Sequence, residues 1–291
     1  MKIADQCIIC KEMKIIKKDA IVVPFLADRI FGRKAFRTFL ICCENCGFKF
    51  YAIRPDDTEL MHLYDNYREE RYLKQRFKHE PWYTKRLNDN LFNRPSIHID
   101  RRNSLIKQIE LYNPEITKKI KTVLDYGGDK GQLINGLFEQ AKKYVYEISN
   151  VDLLPGIEKA IYPSPITFDL IICSNVFEHV SYPDEILKKI TEMAHENTLL
   201  FLEVPFEHPY SAVTILKRII QQTMLLFLRP AQFRSTFGRG MFIHMHEHLN
   251  YFSRKSLQLL LEDAGYKKII INVEKINNGK SYCCLAVKSG R

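Results

Sequence analysis

From Thr122 to the C-terminus, short apolar runs alternate with segments of helical spacing, and this alternation constrains the fold more than any other feature. The runs are Thr122–Tyr126, Lys143–Glu147, Phe168–Cys173, Thr198–Val204, Lys268–Val273 and Tyr282–Val287. Helical spacing fits Gly131–Gln140, Pro183–Ala194 and Ser253–Ala264. Strands separated by helices form βαβ units, which predict an α/β fold around a mainly parallel sheet. The last two runs have no clear helix between them, so they are expected to form an antiparallel hairpin at one edge.

The first run leads into the most informative segment, Asp125-Tyr-Gly127-Gly128-Asp129-Lys-Gly131. Glycines in a turn between a strand and a helix let the backbone approach a ligand and open the helix N-terminus toward it. Such a turn also serves dinucleotide enzymes, but the G-x-G-x-x-G pattern is absent here. Asp125 ends its strand, where a carboxylate suits a ligand ammonium. Glu147 ends the next run, where a carboxylate accepts hydrogen bonds from ribose hydroxyls; Asp152 is the alternative for that role.

Five of the eight cysteines lie in residues 1–55. Cys7-x-x-Cys10 and Cys43-x-x-Cys46 have the spacing at which two thiolates face one tetrahedral ion, and Gly47 follows the second pair. The expectation is a small N-terminal zinc-ribbon-like module over residues 1–55. Cys42 is either an alternative ligand or a filler. Four thiolates complete the coordination of zinc, so such an ion is structural. Cys173, Cys283 and Cys284 fall inside apolar runs and read as core residues.

Residues 56–120 are polar and aromatic, and read as a helical linker or cap; residues 121–291 hold the alternating pattern. Between Pro209 and Met241 lies an insert at about 208–242. Its residues Ala212, Ile215, Leu216, Ile219 and Ile220 have helical apolar spacing, with Lys217, Arg218 and Arg229 adding charge. Three readings compete for it: a plain packed helix, a lid, or a peripheral membrane contact through 212–229. After it, His244, His246, Glu247 and His248 crowd together. Histidine exchanges a proton near neutral pH and a neighbouring carboxylate can orient it, so general acid–base chemistry is the expectation.

The chain carries a net charge of +10, which suits anionic partners such as RNA, nucleotide-sugars or a phospholipid surface. The charge is spread along the chain, and a lysine-rich solvated surface explains it equally well. Met1–Cys7 lacks the apolar region of a signal peptide, and no stretch reaches the roughly 18 apolar residues of a membrane span. The expected location is the cytoplasm, where eight cysteines do not form a disulfide framework.

The segment from Asp125 to Gly131 resembles motif I of class I S-adenosylmethionine-dependent methyltransferases, D/E-x-G-x-G-x-G. Asp125, Gly127 and Gly131 match it, and Asp129 replaces the middle glycine. Phe168–Val180 resembles the fourth strand and following loop of that family. The resemblance covers roughly residues 120–290. It implies a Rossmann-like methyltransferase fold with S-adenosylmethionine as cofactor. The cofactor would be held by Asp125, Gly127, Gly128, Gly131 and Glu147, and faced by Asn175, Val176 and Phe177. With the cysteine pairs in front, the whole chain resembles a narrower group, the zinc-module methyltransferases acting on sugars. Members share Tyr-x-Glu-His before Tyr-Phe-Ser; Glu247 and His248 match, whereas Met245 stands at the tyrosine. Without that hydroxyl, O-methylation of a nucleotide-sugar or surface glycan is easier to reconcile than C-methylation. The resemblance makes His248 the first choice of base, with His246 next and Glu247 beside them. A competing reading is an RNA methyltransferase with a zinc-ribbon RNA-binding module. A third is a non-enzymatic adaptor, supported by Asp129 alone.

Overall fold

The computed structural model describes residues 2–67, 69–92, 95–149, 151–237, 243–276 and 279–290. The chain forms two compact units. One comprises Met1–Arg94 and His208–Tyr251, the other Pro95–Glu207 and Phe252–Arg291. The stretch expected to be a cap thus divides near residue 95, and the 208–251 stretch folds with the N-terminal residues.

The N-terminal unit is organised by the strands Ile15–Val22 and Phe36–Cys43, paired antiparallel with Val22 opposite Phe36 and Ile15 opposite Cys43. Ile15–Val22 buries its Ala20-Ile-Val end. Pro24 starts the helix Pro24–Phe31 that follows, with its fixed φ pre-set for a first helical position. Gly32 ends that helix at φ +60°, a left-handed cap that places its N–H on the helix carbonyls. Lys49–Tyr51 extends the sheet antiparallel to Phe36–Cys43. Both edges are supplied from far along the chain. His244–Met245 runs parallel to Ile15–Val22, and Asn250–Tyr251 antiparallel to Lys49–Tyr51. Arg54, almost wholly buried, fastens the second edge by donating to Asn250 Oδ1 at 2.8 Å. The core joins Phe25, Leu26, Leu40, Tyr51 and Tyr72, and Met245 is among its buried members. The residue standing at the family's tyrosine is therefore a core filler.

The second unit carries a seven-stranded sheet. In the chain order of its own strands, the spatial order is third, second, first, fourth, fifth, seventh, sixth. The first five are Thr122–Tyr126, Lys142–Tyr146, Ile157–Lys159, Phe168–Ser174 and Ala194–Pro205, all parallel. The last two, Tyr266–Ile276 and Gly279–Lys288, form the expected antiparallel hairpin. Gly279–Lys288 also pairs antiparallel with Ala194–Pro205, so it lies between the fifth and sixth strands. The α/β class and mainly parallel sheet read from the sequence are thus observed. Helices Pro95–Tyr112, Pro183–Glu192 and Arg254–Asp263 accompany the sheet. The last begins at a reciprocal cap between Ser253 and Ser256. Cys173, Cys283 and Cys284 are buried in strands, and burial pushes their thiols up, Cys283 to about 12.

One expectation fails. Gly131–Gln140 is a succession of turns, not a helix. Gly131 (φ +84°), Gly136 (φ +76°) and Phe138 (φ +49°) all take left-handed backbone, which interrupts the helical ladder at three points. Leu133 and Ile134 are still buried, so the apolar spacing was real but served a folded loop. Carbonyls that a helix would satisfy internally are met by a side chain. Arg102 donates through Nε to Leu133 O at 3.0 Å and through Nη2 to Gln132 O at 2.5 Å.

Candidate functional site

In the second unit the strand order reverses between Thr122–Tyr126 and Phe168–Ser174, adjacent parallel strands with Asp125 opposite Ile172. In open α/β sheets, ligands bind beyond the carboxyl ends of the strands at such a reversal. The segment Asp125–Gly131 leaves one of these ends and Asn175–Phe177 leaves the other, so both predicted cofactor elements meet here. Their approach is tight. A Cβ at Gly127 (φ +73°) would fall 2.5 Å from Val176 Cγ2, and one at Gly128 would fall 2.4 Å from Asp125 Cγ. Gly131 closes the turn by donating to Gly128 O at 2.8 Å.

Asp125 is 2% exposed, and its Oδ2 has no hydrogen-bond partner. Burial pushes its carboxyl up to about 7; Arg101 pulls it down, while Glu147 and Asp129 repel its charge. Such a carboxyl awaits a donor, and a cationic one above all. Glu147 is partly engaged. Its Oε2 accepts from Asp129 N at 3.0 Å, and its Oε1 from Ser149 N and Oγ, both at 2.9 Å. Each carboxylate oxygen can accept twice, so Oε1 is filled and Oε2 keeps one position for a ligand hydroxyl. Asp129, at the family's middle glycine, has φ +52° and so adopts the left-handed backbone a glycine would supply. Phe177 is fully buried against Phe252, with ring centroids 6.4 Å apart, whereas Asn175 (φ +54°) and Val176 are half-buried.

Sequence reasoning missed Arg101. It lies on Pro95–Tyr112, outside every motif, and its Nε meets Glu203 Oε2 at 3.2 Å. The Asn175 amide turns its oxygen to the Arg101 guanidinium and its nitrogen to Glu178 Oε1 at 3.3 Å. Glu203 also accepts from Ser174 Oγ at 2.5 Å, and its Oε1 is buried without a hydrogen-bond partner. One guanidinium thus pairs with Glu203 and attracts the Asp125 carboxyl. The Arg101-Arg102 pair was the available signal: Arg102 holds the glycine loop, and Arg101 enters the site.

In the N-terminal unit, Cys7, Cys10, Cys43 and Cys46 bring four sulfurs within 4.8 Å of one another. Cys7 and Cys46 are 3.6 Å apart, and Cys10 and Cys43 are 3.5 Å apart. Thiolates on a tetrahedral zinc, with Zn–S about 2.3 Å, stand about 3.8 Å apart, so the donor set fits that ion. The two knuckles are built alike. Lys11 N donates to Cys7 O at 3.0 Å and Gly47 N to Cys43 O at 3.1 Å, and both donors have left-handed φ, +58° and +73°. Contact with Cys46 lowers the Cys7 thiol below its ordinary range, so the pair favours losing one proton. Cys42 is not in this group. On a strand, neighbours face opposite sides, and Cys42 lies in the core cluster.

The histidine segment also belongs to this unit. His244 is buried, with Gln222 Nε2 3.3 Å from its Nε2. His246 Nδ1 stands 3.5 Å from Glu80 Oε1. Glu247 Oε1 accepts from Tyr72 Oη and from Arg76 Nη1, each at 2.8 Å. Arg76 also grips Glu80 Oε2 at 2.9 Å and lies 3.8 Å from the centre of the Tyr83 ring. Burial alone would raise Glu80, but Arg76 and His246 outweigh it and hold the carboxyl at about 2. His248 is half-buried in the irregular stretch between the two edge strands. A pocket beside the segment is lined by His79, Glu80, Trp82, Arg218, Gln222 and His246, among others.

An open α/β sheet that reverses at its first strand, with a glycine turn and a buried carboxyl at the reversal, defines a class of cofactor-binding proteins. The family described as "Methyltransferase domain" matches residues 97–270, and the chain belongs to it. Its place is thus among the class I fold enzymes whose loop motif it resembles. No curated protein sequence matches the chain. Among solved structures, it is similar to the plantazolicin methyltransferase BpumL, at 13% identity and TM-score 0.47, over 79% of this chain and 98% of the other. It is similar to magnesium protoporphyrin IX methyltransferase from Synechocystis, at 16% identity and TM-score 0.41, over 65% and 85%. Human N-acetylserotonin methyltransferase gives 14% identity and TM-score 0.45, over 77% of this chain but only 58% of that one. The chain therefore spans little more than half the length of this last relative.

Proposed function

We propose that the chain transfers a methyl group from S-adenosylmethionine to a hydroxyl of a sugar, carried on a nucleotide or a surface glycan. The observation that carries the cofactor part is the buried Asp125 carboxyl with its unmet Oδ2 at the sheet reversal. Asp125 takes the ammonium of the methionine moiety, and Arg101 takes its carboxylate. Glu147 accepts from a ribose hydroxyl through the free position on Oε2, and Asn175 and Val176 border the site. When bound, the cofactor supplies an electrophilic methyl on a sulfonium. The acceptor oxygen forms a new bond to that methyl carbon as the carbon–sulfur bond breaks, and the sulfur leaves as a neutral thioether. His248 receives the hydroxyl proton, with His246 as the second candidate. Glu247, clamped by Tyr72 and Arg76, fixes the backbone beside His248. The fold's main contribution is proximity. The cysteine site would hold zinc structurally, because four thiolates leave no open position.

The sugar acceptor is supported by the Glu247-His248 resemblance, and O-methylation by the burial of Met245 where a tyrosine hydroxyl would stand. The test uses S-adenosylmethionine carrying a labelled methyl group, offered with nucleotide-sugars, glycans and RNA in separate reactions. Label is expected in a sugar pool, with an alkali-stable ether linkage. Label in RNA alone would replace this reading with that of an RNA methyltransferase. His248→Ala should abolish transfer while S-adenosylhomocysteine still binds; full activity in that variant removes His248 from the mechanism.

A further inference from the structure

The helix Ala212–Leu228 is inside out. Its buried residues are Arg218, Gln222 and Leu225, two polar side chains and one leucine. Outward it presents Val213 (78% exposed), Leu216, Ile220, Leu226, Phe227 (78% exposed) and Leu228. A surface helix of a soluble domain does the opposite, turning its apolar stripe to the core and its charges to water. The sequence reading found the stripe and left three roles open; the structure excludes a helix packed through that stripe. The helix has its own start signal, Ser211 accepting from Thr214 N, so its outward face is part of an ordered element.

What covers such a face is indicated by charge. Residues 208–246 contain no Asp or Glu, and besides the buried Arg218 the described stretch holds Lys217, Arg229 and Arg234. Lys217 is exposed within the apolar face, and Arg229 caps its end. A second copy of the chain is a poor partner, because an isologous contact would set these cations against their own counterparts. An anionic lipid surface meets both demands at once, taking apolar side chains at the acyl boundary and cations at the headgroups. The helix does not cross. Its 17 residues span about 25 Å against a hydrocarbon core of about 30 Å, and no helix among the described residues is long and apolar enough to span a membrane.

We propose that Ala212–Leu228 is a peripheral membrane anchor that lies in the plane of an anionic lipid surface with Val213, Leu216, Ile220, Leu226 and Phe227 inserted. The anchor does not depend on the reaction proposed above, and its test does not use it. The full chain is floated with vesicles of phosphatidylcholine alone, and of phosphatidylcholine with an equal part of phosphatidylglycerol. Flotation is expected with the anionic vesicles, weakening as salt rises. Leu226→Gln combined with Phe227→Gln should weaken it about tenfold or more, since each side chain loses most of its transfer energy. Lys217→Glu should weaken it less and reduce its salt dependence. All variants should keep the parent circular dichroism and S-adenosylhomocysteine affinity. Failure of the parent chain to float with anionic vesicles overturns the proposal, as does undiminished flotation of the double variant. Light scattering that shows a dimer lost in the double variant, without vesicle binding in the parent, would assign the face to a second copy instead.

Discussion

The two units treat their buried charges in opposite ways. In the N-terminal unit, Glu80 and Glu247 are both held by Arg76, with Tyr72 and His246 completing the cluster. Glu80 Oε1 makes no hydrogen bond, but it faces His246 Nδ1 at 3.5 Å, and attraction to Arg76 and His246 outweighs burial. In the α/β unit, Arg101 pairs with Glu203 and attracts Asp125, and each carboxylate keeps one buried oxygen without a hydrogen-bond partner. An unmet buried acceptor is costly, and at Asp125 burial outweighs the attraction of Arg101, so a cationic donor would relieve it. The first network is closed electrostatically by its own cations, whereas the second is left open, with a carboxyl that burial holds above its usual range.

Metal removal tests the comparison most severely. Structural zinc contributes apparent folding free energies of about 10–16 kcal/mol in small modules. Chelation is expected to unfold the N-terminal unit and leave the α/β unit folded. Limited proteolysis would show this as digestion of residues 1–94 and 208–251, and metal analysis should find one zinc per chain. Retained protection of both units would deny the cysteine site its structural role.

Arg76→Ala addresses the closed network. Removing one partner of a buried ion pair costs about 3–5 kcal/mol, here with two carboxylates left behind. Denaturant unfolding should register that loss, and S-adenosylhomocysteine affinity should be nearly unchanged. Asp125→Asn and Arg101→Met address the open network and should give the mirror result. Each is expected to weaken S-adenosylhomocysteine binding by about 1.5–3 kcal/mol, the usual range for a hydrogen bond to a charged group. Asp125→Asn should leave unfolding stability unchanged or raised, because it removes a charge that burial disfavours. A loss of stability without a loss of affinity would make Asp125 a structural residue.

The smallest effect, taken per pH unit, is the pH dependence. The carboxyl of Asp125 is raised in the folded chain from 3.8 to about 7. Between those values the folded, ligand-free chain binds the extra proton, so this group's contribution to stability falls as pH rises through that window. A ligand ammonium prefers the ionised carboxylate and expels the proton. Affinity for S-adenosylhomocysteine should therefore tighten as pH rises, by at most about tenfold per unit, and level off above about 7. Calorimetric titration across that range would show it, and Asp125→Asn should flatten the profile.

Local features were legible in the chain because local physics produces them. Short apolar runs, the glycine turn after Thr122–Tyr126, the closing hairpin and the two cysteine knuckles depend on neighbours a few residues apart, and each was placed from the sequence. Pairings across long separations were not. Nothing in Asn250–Tyr251 announces that it will edge a sheet begun at Ile15, and nothing in Arg101 announces Glu203. Gly131–Gln140 carried a helical apolar spacing that three left-handed residues cancelled, because burying Leu133 and Ile134 does not require a helix. The same spacing in Ala212–Leu228 identified a helix correctly but left its direction open. Periodicity states that a face is apolar; only the packing of Arg218 and Gln222 decided that this one points outward.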